Sequence, residues 1–138
     1  MGASALRAAG EGEVSLYDSR GDAQAYIDSA GQMTIYLWSG EPVAYLEHKE
    51  GGIFDVWGFT GWHLGWFSEG ILRDNKGYVV GAVKKSFNGP VHVEQPKMTK
   101  RPPPPKAGRD YSPRPPRSHM DWSKDWTLRT LLLQGKYD

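Results

Sequence analysis

The chain has 138 residues, no cysteine and a formal net charge of +1. This length predicts one domain, with or without a tail, and the lack of cysteine excludes disulfides, thiolate metal sites and cysteine nucleophiles. Residues 1–96 carry seven basic and twelve acidic side chains, whereas residues 97–117 carry seven basic and one acidic side chain. We therefore expect an acidic body joined to a basic segment.

Four copies of a unit of about a dozen residues fill the first two-thirds of the chain. Each copy is centred on a turn glycine, with an aliphatic residue five positions before it and alanine or glycine four positions after it. In three of the four copies, an aromatic residue directly follows each of these two positions. The turn glycines are Gly21, Gly40, Gly61 and Gly77, the aliphatic residues are Leu16, Ile35, Val56 and Leu72, and the small residues are Ala25, Ala44, Gly65 and Gly81.

Each copy predicts a β-hairpin, because its flanks are rich in strand-favouring residues and its turn ends in glycine. A single hairpin is marginal in water, but four around an axis bury one another's apolar faces. We therefore predict an all-β, pseudo-fourfold barrel or flower of about eight short strands over residues 13–93, after a disordered N-terminus over residues 1–12. The small residues either lie where strands converge near the axis or accommodate aromatic rings, and Ala44→Leu or Gly65→Leu should destabilise the fold by overpacking.

Residues 94–118 contain eight prolines and cannot supply strand ladders or a helix interior. They predict an extended, semi-rigid spacer. Three partners are open for its basic residues: nucleic acid, anionic lipid and the acidic body of the chain itself. Nucleic acid is disfavoured, because Tyr111 is the only aromatic residue available for stacking. The candidate contacts to lipid headgroups are Lys97, Lys100, Arg101, Lys106 and Arg109.

Residues 119–138 become apolar again and predict a short helix or docking segment. Trp122 and Trp126 are four positions apart and would share one face of a helix that begins at Asp121 or Ser123. Such a short helix is marginal alone, so we expect it to dock on this barrel or on another copy.

Several stretches resemble a known family. The third copy contains Gly-x-His-Leu-Gly-Trp-Phe at residues 61–67, and the fourth has Asp-Asn-Lys-Gly at residues 74–77. Together with Tyr36–Leu46, the proline-rich segment and the Trp-Ser pair at Trp122, these features resemble the bacterial four-fold β-flower proteins over most of residues 14–133. The resemblance implies the same barrel without an established activity. That barrel is similar to tubby-like and phospholipid-scramblase-like barrels, which implies lipid contact by fold analogy alone.

Motifs for catalysis and metal binding are absent from the sequence. There is no Gly-x-Ser-x-Gly and no phosphate-binding loop, and the four histidines lack the spacing of zinc ligands. His63 lies inside the repeat motif, where we expect it to bond a neighbouring turn and not to act as a general base. Asp18 and Asp74 hold equivalent turn positions and are expected to cap their turns. We therefore predict no enzymatic activity, no metal and no cofactor.

Aromatic residues crowd into the second and third copies. Most are expected in the core, but Trp38 and Phe59 each lie two residues before a turn glycine, and Trp62 directly follows one. Rings at hairpin tips are poorly buried by default, so we predict an exposed aromatic surface for a partner or a membrane. The predicted partner-binding residues are Trp38, Phe59, Trp62, His63, Trp122 and Trp126.

These patterns predict a non-enzymatic binding module with a Trp-rich β platform and a tethered C-terminal motif. Its partner would be another protein or the chain itself, by tail docking or as a homo-oligomer. The alternative is a peripheral membrane or lipid-binding protein, with the tip aromatics in the interface and the basic segment facing anionic lipid. No apolar run reaches the roughly 18 residues of a membrane-spanning helix, and residues 1–13 lack a secretory apolar stretch. The cytoplasm is the expected location.

Overall fold

Residues 6–7 and 12–137 are described by the structure, a computed structural model. Within them the elements are β1 (Leu6–Arg7), β2 (Glu13–Tyr17), β3 (Ala23–Asp28), β4 (Thr34–Leu37), β5 (Pro42–Glu50), β6 (Ile53–Gly58), β7 (His63–Ser68), β8 (Ile71–Arg73), β9 (Val79–Ala82), β10 (Lys97–Met98) and α1 (Leu128–Leu133). Strands β2 to β9 form a closed antiparallel barrel, in which each strand pairs with the next and β2 pairs with β9. The predicted all-β barrel of four hairpins is confirmed.

The four hairpins turn at the four turn glycines. These glycines have φ between +81° and +93°, a left-handed conformation that costs a residue with a Cβ atom about 1–2 kcal/mol. In the first and last hairpins an aspartate caps the turn, as predicted. The Asp18 carboxylate accepts hydrogen bonds from two backbone N–H groups of its own turn, and the Asp74 carboxylate does the same. Local turn chemistry therefore specifies the hairpins.

The aliphatic residue of each copy belongs to the barrel core, where all four are fully buried. Across each hairpin it pairs with the small residue of the same copy, as in Val56 opposite Gly65. A Cβ atom on Gly65 would overlap the backbone carbonyl of Arg73 on β8, and one on Gly81 would lie 2.9 Å from Cδ1 of Leu128. At these two positions the small residue makes room for backbone or for α1, and not for an aromatic ring.

The C-terminal segment docks on its own barrel through α1, at the end that carries the glycine turns. Leu128, Leu131 and Leu132 are buried in the barrel core. After the helix, the carbonyl oxygen of Gly135 accepts a hydrogen bond from the backbone N–H of Phe59 at 2.9 Å. The predicted docking segment is therefore part of the folded body.

The start of this helix differs from the prediction. Its N-cap is Thr127, which forms a capping box with Thr130, so Trp122 and Trp126 both precede the helix. The predicted cap Ser123 caps the preceding turn instead, because its hydroxyl accepts hydrogen bonds from the backbone N–H groups of Asp125 and Trp126 while it donates to the Asp74 carboxylate at 2.6 Å. The two tryptophans therefore do not share a helix face.

The N-terminus departs from the predicted disorder at two places. The carbonyl oxygen of Gly12 accepts hydrogen bonds from the backbone N–H and the hydroxyl of Ser29. Leu6–Arg7 pairs with Lys97–Met98 as the two-stranded sheet of β1 and β10. The rest of the predicted disordered stretch before residue 12 lies outside the described residues. Because β10 belongs to the proline-rich segment, that segment also contributes a strand.

Candidate functional site

The proline-rich segment wraps around the barrel at the end that carries the glycine turns. We call residues 90–119 the belt. One backbone N–H of the belt donates to the carbonyl oxygen of each turn glycine, at N···O distances of 2.8–2.9 Å. In chain order the donors are His92, Arg101, Asp110 and His119, each nine residues after the last. The segment is extended, as predicted. It is not a spacer between two units, because it lies against the barrel and contacts each of its four hairpin turns in the same way.

The belt approaches three of the four turn glycines so closely that no side chain fits between them, whereas at Gly21 a Cβ atom would lie 3.2 Å from the nearest belt atom. A Cβ atom on Gly40 would overlap the carbonyl oxygen of Thr99, and one on Gly61 would overlap that of Gly108. These two belt residues are again nine positions apart. The turns therefore need glycine both for their backbone conformation and for contact with the belt.

Lys97 and Lys106 hold equivalent belt positions, and each places its ammonium group over a tyrosine ring. The ammonium nitrogen lies 4.4 Å from the ring centroid of Tyr26 for Lys97 and 4.2 Å from that of Tyr45 for Lys106. Lys97 is only 1% exposed, and its ammonium lies 3.0 Å from a carboxylate oxygen of Glu13. Its charge is therefore compensated inside the protein.

Lys100 and Arg109 form the next equivalent pair of the belt. Lys100 lies 2.6 Å from a carboxylate oxygen of Asp28, and Arg109 pairs with Glu47. Both acidic residues stand seven positions after a turn glycine. Burial disfavours the charged form of Lys100, but its hydrogen bonds to two carboxylates outweigh burial and raise its pKa.

All five residues predicted to contact lipid headgroups thus contact the barrel, although Arg101, Lys106 and Arg109 remain exposed to solvent. Arg101, the fifth, lies 3.7 Å from a carboxylate oxygen of Glu41. Four of the five make ion pairs with acidic residues of the body, and Lys106 lies over a ring. Of the three partners left open for the basic segment, the acidic body is the one that it contacts in the structure.

The belt also covers two of the three hairpin-tip aromatics. Phe59 is 1% exposed and packs with Tyr45 and Trp57 in a small cluster, while its carbonyl accepts a hydrogen bond from the backbone of Ala107. Trp38 is half-buried, and its indole N–H donates to the carbonyl of belt residue 95 at 2.9 Å. The predicted exposed aromatic cluster is therefore wrong, because a distant segment of the chain covers these tips.

Trp62 keeps the predicted exposure, with 65% of its surface accessible. It follows Gly61, whose carbonyl is bonded to the belt, yet its own ring projects beyond the belt. Trp62 is therefore the tip aromatic that remains available to a partner.

Tyr17 anchors the start of the belt. Its hydroxyl donates to a carboxylate oxygen of Glu94 at 2.5 Å. Burial, together with this hydrogen bond, raises the pKa of Tyr17 to about 12. The pairing thus makes belt attachment at this point depend on a protonated phenol.

His63 lies in a buried polar network and does not join the other predicted binding residues. Its side chain is 5% exposed, and its ring lies between Trp57 and Trp66. One ring nitrogen lies 2.8 Å from the Asp55 carboxylate and the other 3.1 Å from the Asn75 amide oxygen. Because both nitrogens are occupied, His63 links β6, β7 and the fourth turn and offers no free nitrogen to a substrate.

The belt takes part in the same network. The hydroxyl of Ser112 donates to the Asp55 carboxylate at 3.1 Å and accepts a hydrogen bond from the Lys49 ammonium at 2.7 Å. Removal of the belt would deprive the buried Asp55 carboxylate of the hydrogen bond from Ser112, and the loss of a hydrogen-bond partner inside a protein lowers its stability.

Trp122 and Trp126 wall an open cleft of about 440 Å³, which we call the tail cleft. Its other walls are the first hairpin turn, over residues 18–24, and the first residues of α1. Two arginines, Arg20 and Arg129, also line it. This volume falls within the range of small-molecule sites, roughly 300–1,000 Å³.

The family of the chain follows from this architecture and from comparison with known proteins. A family described as 4-fold beta flower protein matches residues 14–132. The chain belongs to this family. The match begins in β2 and ends within α1, so it includes the barrel, the belt and the tail cleft of this beta flower protein. No curated protein and no solved structure matches the chain.

The tail cleft combines residues that sequence reasoning had singled out with two that it had not. Trp122 and Trp126 were predicted binding residues, whereas Arg20 and Arg129 were not. No local pattern distinguishes these arginines from others, because the turn and the helix are more than a hundred residues apart in the chain.

The repeat of the belt, in contrast, is visible in the sequence, because the pairs Pro96-Lys97 and Pro105-Lys106 are nine residues apart.

None of the helices in the described part of the chain is long and apolar enough to cross a membrane.

Proposed function

We propose that this beta flower protein is a non-enzymatic binding module, and that it takes its ligand or partner in the tail cleft. One observation carries the proposal. Trp122 and Trp126, which the sequence marks as binding residues, are both half-buried and wall the same open cleft. Large aromatic side chains that remain partly accessible beside a cleft are typical of binding sites.

The fixed backbone around Trp122 supports this proposal. The backbone N–H of Val79 donates to the Asp121 carbonyl at 2.9 Å, and the N–H of Ser123 donates to the Val79 carbonyl at 2.7 Å. The Ser123 hydroxyl in turn accepts a hydrogen bond from the backbone N–H of Trp126 at 3.1 Å. A site held in this way loses little conformational entropy when a ligand binds.

Fragment screening by NMR tests the proposal. The six tryptophans of the chain each give an indole N–H signal, and single Trp→Phe variants assign them. From a general library of soluble fragments, we expect ligands that shift the signals of Trp122 and Trp126 and leave that of Trp62 unchanged. Fragments that shift only the Trp62 signal would indicate that the binding surface is the hairpin tip. If no fragment shifts the signals of Trp122 and Trp126, the proposal is contradicted.

A peripheral membrane role is the second candidate, favoured by the exposed ring of Trp62. The basic segment gives this role less support, because Lys97, Lys100 and Arg109, which were predicted to contact lipid headgroups, pair with carboxylates of the acidic body. Flotation with neutral and anionic vesicles at low and high salt tests it, with Trp62→Ala as the variant. Wild-type protein that floats with vesicles while Trp62→Ala does not would support this role. Wild-type protein that does not bind any vesicle would contradict it. The cytoplasmic location stays a prediction.

A further inference from the structure

The tail cleft contains two arginines with free guanidinium groups. Arg20 lies in the first hairpin turn and Arg129 in the first turn of α1, and both side chains are exposed. Neither has an ion pair or a side-chain hydrogen bond with any residue that the structure describes. This distinguishes them from Lys97, Lys100 and Arg109 of the belt, which are paired with carboxylates.

The acidic residues of the cleft already have partners. Both carboxylate oxygens of Asp18 accept hydrogen bonds within the turn, Oδ1 from two backbone N–H groups and Oδ2 from the Gln24 amide at 3.2 Å. Asp22 lies 3.3 Å from the imidazole of His92 at the start of the belt. Among the charged groups of the cleft, both carboxylates are therefore engaged within the protein, whereas the two guanidinium groups have no partner among the described residues, and these donors favour an anion. A guanidinium group binds carboxylate or phosphate through paired, charge-assisted hydrogen bonds.

Part of the remaining wall is apolar, next to the polar residues Ser19, Gln24, Ser123, Thr127 and Thr130. Trp122 and Trp126 provide indole rings, and Val80 and Leu128 provide aliphatic surface. Indole rings bind flat apolar groups by stacking or edge-to-face contact. An apolar ring and an anionic group can thus be held at once within about 440 Å³.

We propose that the tail cleft binds a small anionic ligand that carries an aromatic ring, with Arg20 and Arg129 holding the carboxylate or phosphate and Trp122 and Trp126 holding the ring. This inference rests on the proposed function of the cleft and adds the chemical class of the ligand.

Titration with four defined probes tests the inference on the full-length protein. Phenyl phosphate and benzoate carry both parts of the proposed ligand, with different anions. Benzyl alcohol carries the ring alone, and inorganic phosphate carries the anion alone. We expect phenyl phosphate or benzoate to shift the indole N–H signals of Trp122 and Trp126 at concentrations at least tenfold lower than either half-probe.

Two variants and a matched control test the role of the arginines. Arg20→Gln and Arg129→Gln should each weaken binding of the best probe by about tenfold or more, which corresponds to about 1.4 kcal/mol, because each variant loses charge-assisted hydrogen bonds to the anion. Arg114→Gln is the control, because Arg114 is exposed, pairs with none of the described residues and lies in the belt away from the cleft. Thermal unfolding verifies that all three variants fold.

The outcomes separate this inference from the proposed function. Unchanged affinity in both arginine variants, or benzyl alcohol binding as tightly as phenyl phosphate, would overturn the anionic ligand class. If fragments bind at Trp122 and Trp126 while all four probes fail, the ligand class is wrong and the binding module stands. If neither fragments nor probes reach the cleft, both proposals fail.

Discussion

Substitution of a turn glycine by alanine measures how tightly the belt is held. Gly40 has φ of +90°, and a Cβ atom there would overlap the carbonyl oxygen of Thr99 in the belt. Two other glycines provide matched controls with positive φ and open surroundings. Gly51 has φ of +54° and Gly89 has φ of +119°, and a Cβ atom on either would meet nothing within 4 Å. The φ values of the two controls lie on either side of that of Gly40. Gly51→Ala and Gly89→Ala therefore measure the cost of backbone strain without a contact between the new Cβ atom and the belt.

The expected magnitudes follow from these contacts. Backbone strain alone should cost each control about 1–2 kcal/mol. Gly40→Ala adds the displacement of the belt backbone, about 1–3 kcal/mol by comparison with overpacked cores. It also weakens the hydrogen bond from the Arg101 N–H to the Gly40 carbonyl, which contributes roughly 0.5–1.5 kcal/mol. We therefore expect Gly40→Ala to lose about 2–4 kcal/mol more than either control.

Urea unfolding followed by tryptophan fluorescence gives the free energies of unfolding. Amide hydrogen exchange adds a local measurement, since the Arg101 N–H should exchange faster in Gly40→Ala while the Asp110 N–H at the next turn is less affected. If Gly40→Ala is no less stable than Gly51→Ala and Gly89→Ala, and the Arg101 amide keeps its protection, the belt is not held against this turn.

Three further predictions test the belt and the tail. The pKa of Tyr17 is raised to about 12 from 10.0. The stability that the protonated Tyr17 hydroxyl contributes should therefore be complete below pH 10 and lost as the pH rises to about 12. Over this range the urea midpoint of Tyr17→Phe should fall less steeply with pH than that of the wild type. Lys97→Met removes one partner of a buried ion pair and should cost about 3–5 kcal/mol. Lys106→Met at the equivalent exposed position should cost about 0.5–1 kcal/mol, and equal losses in urea unfolding would refute the burial argument. Leu128→Ala should cost about 3–4 kcal/mol because Leu128 is fully buried in the barrel core, and half-buried Leu133→Ala should cost clearly less by thermal unfolding.

The barrel could be predicted from the sequence because its determinants are local. Each turn glycine, its capping residue and the strands beside it lie within about a dozen residues, and alternation of apolar positions sets which face is buried. The same locality explains the confirmed role of Asp18 and Asp74. The helix start was missed although its signal is local too. The capping box is formed by Thr127 with Thr130, whereas the Ser123 hydroxyl caps the turn that precedes the helix.

The belt and the tail cleft could not be predicted in the same way. The donors of the belt meet acceptors on turns that lie 42 to 71 residues earlier in the chain. A proline-rich stretch read by itself has no visible hydrogen-bond partners and therefore resembles a spacer. The burial of Phe59 depends on this long-range contact, so exposure predicted from its tip position was wrong.

The sequence by itself determined the four hairpins and their turns, because residues close in the chain specify them, and the fourfold repeat predicted the barrel that β2 and β9 close through Tyr17 and Ala82. The tertiary structure alone decided which aromatic rings stay accessible and where the basic side chains find their counter-charges. It also brought Arg20 and Arg129 to one cleft with Trp122 and Trp126. The physical reason is that hydrogen bonds, ion pairs and burial depend on distances in space, and the belt and tail make theirs with residues far away in the chain.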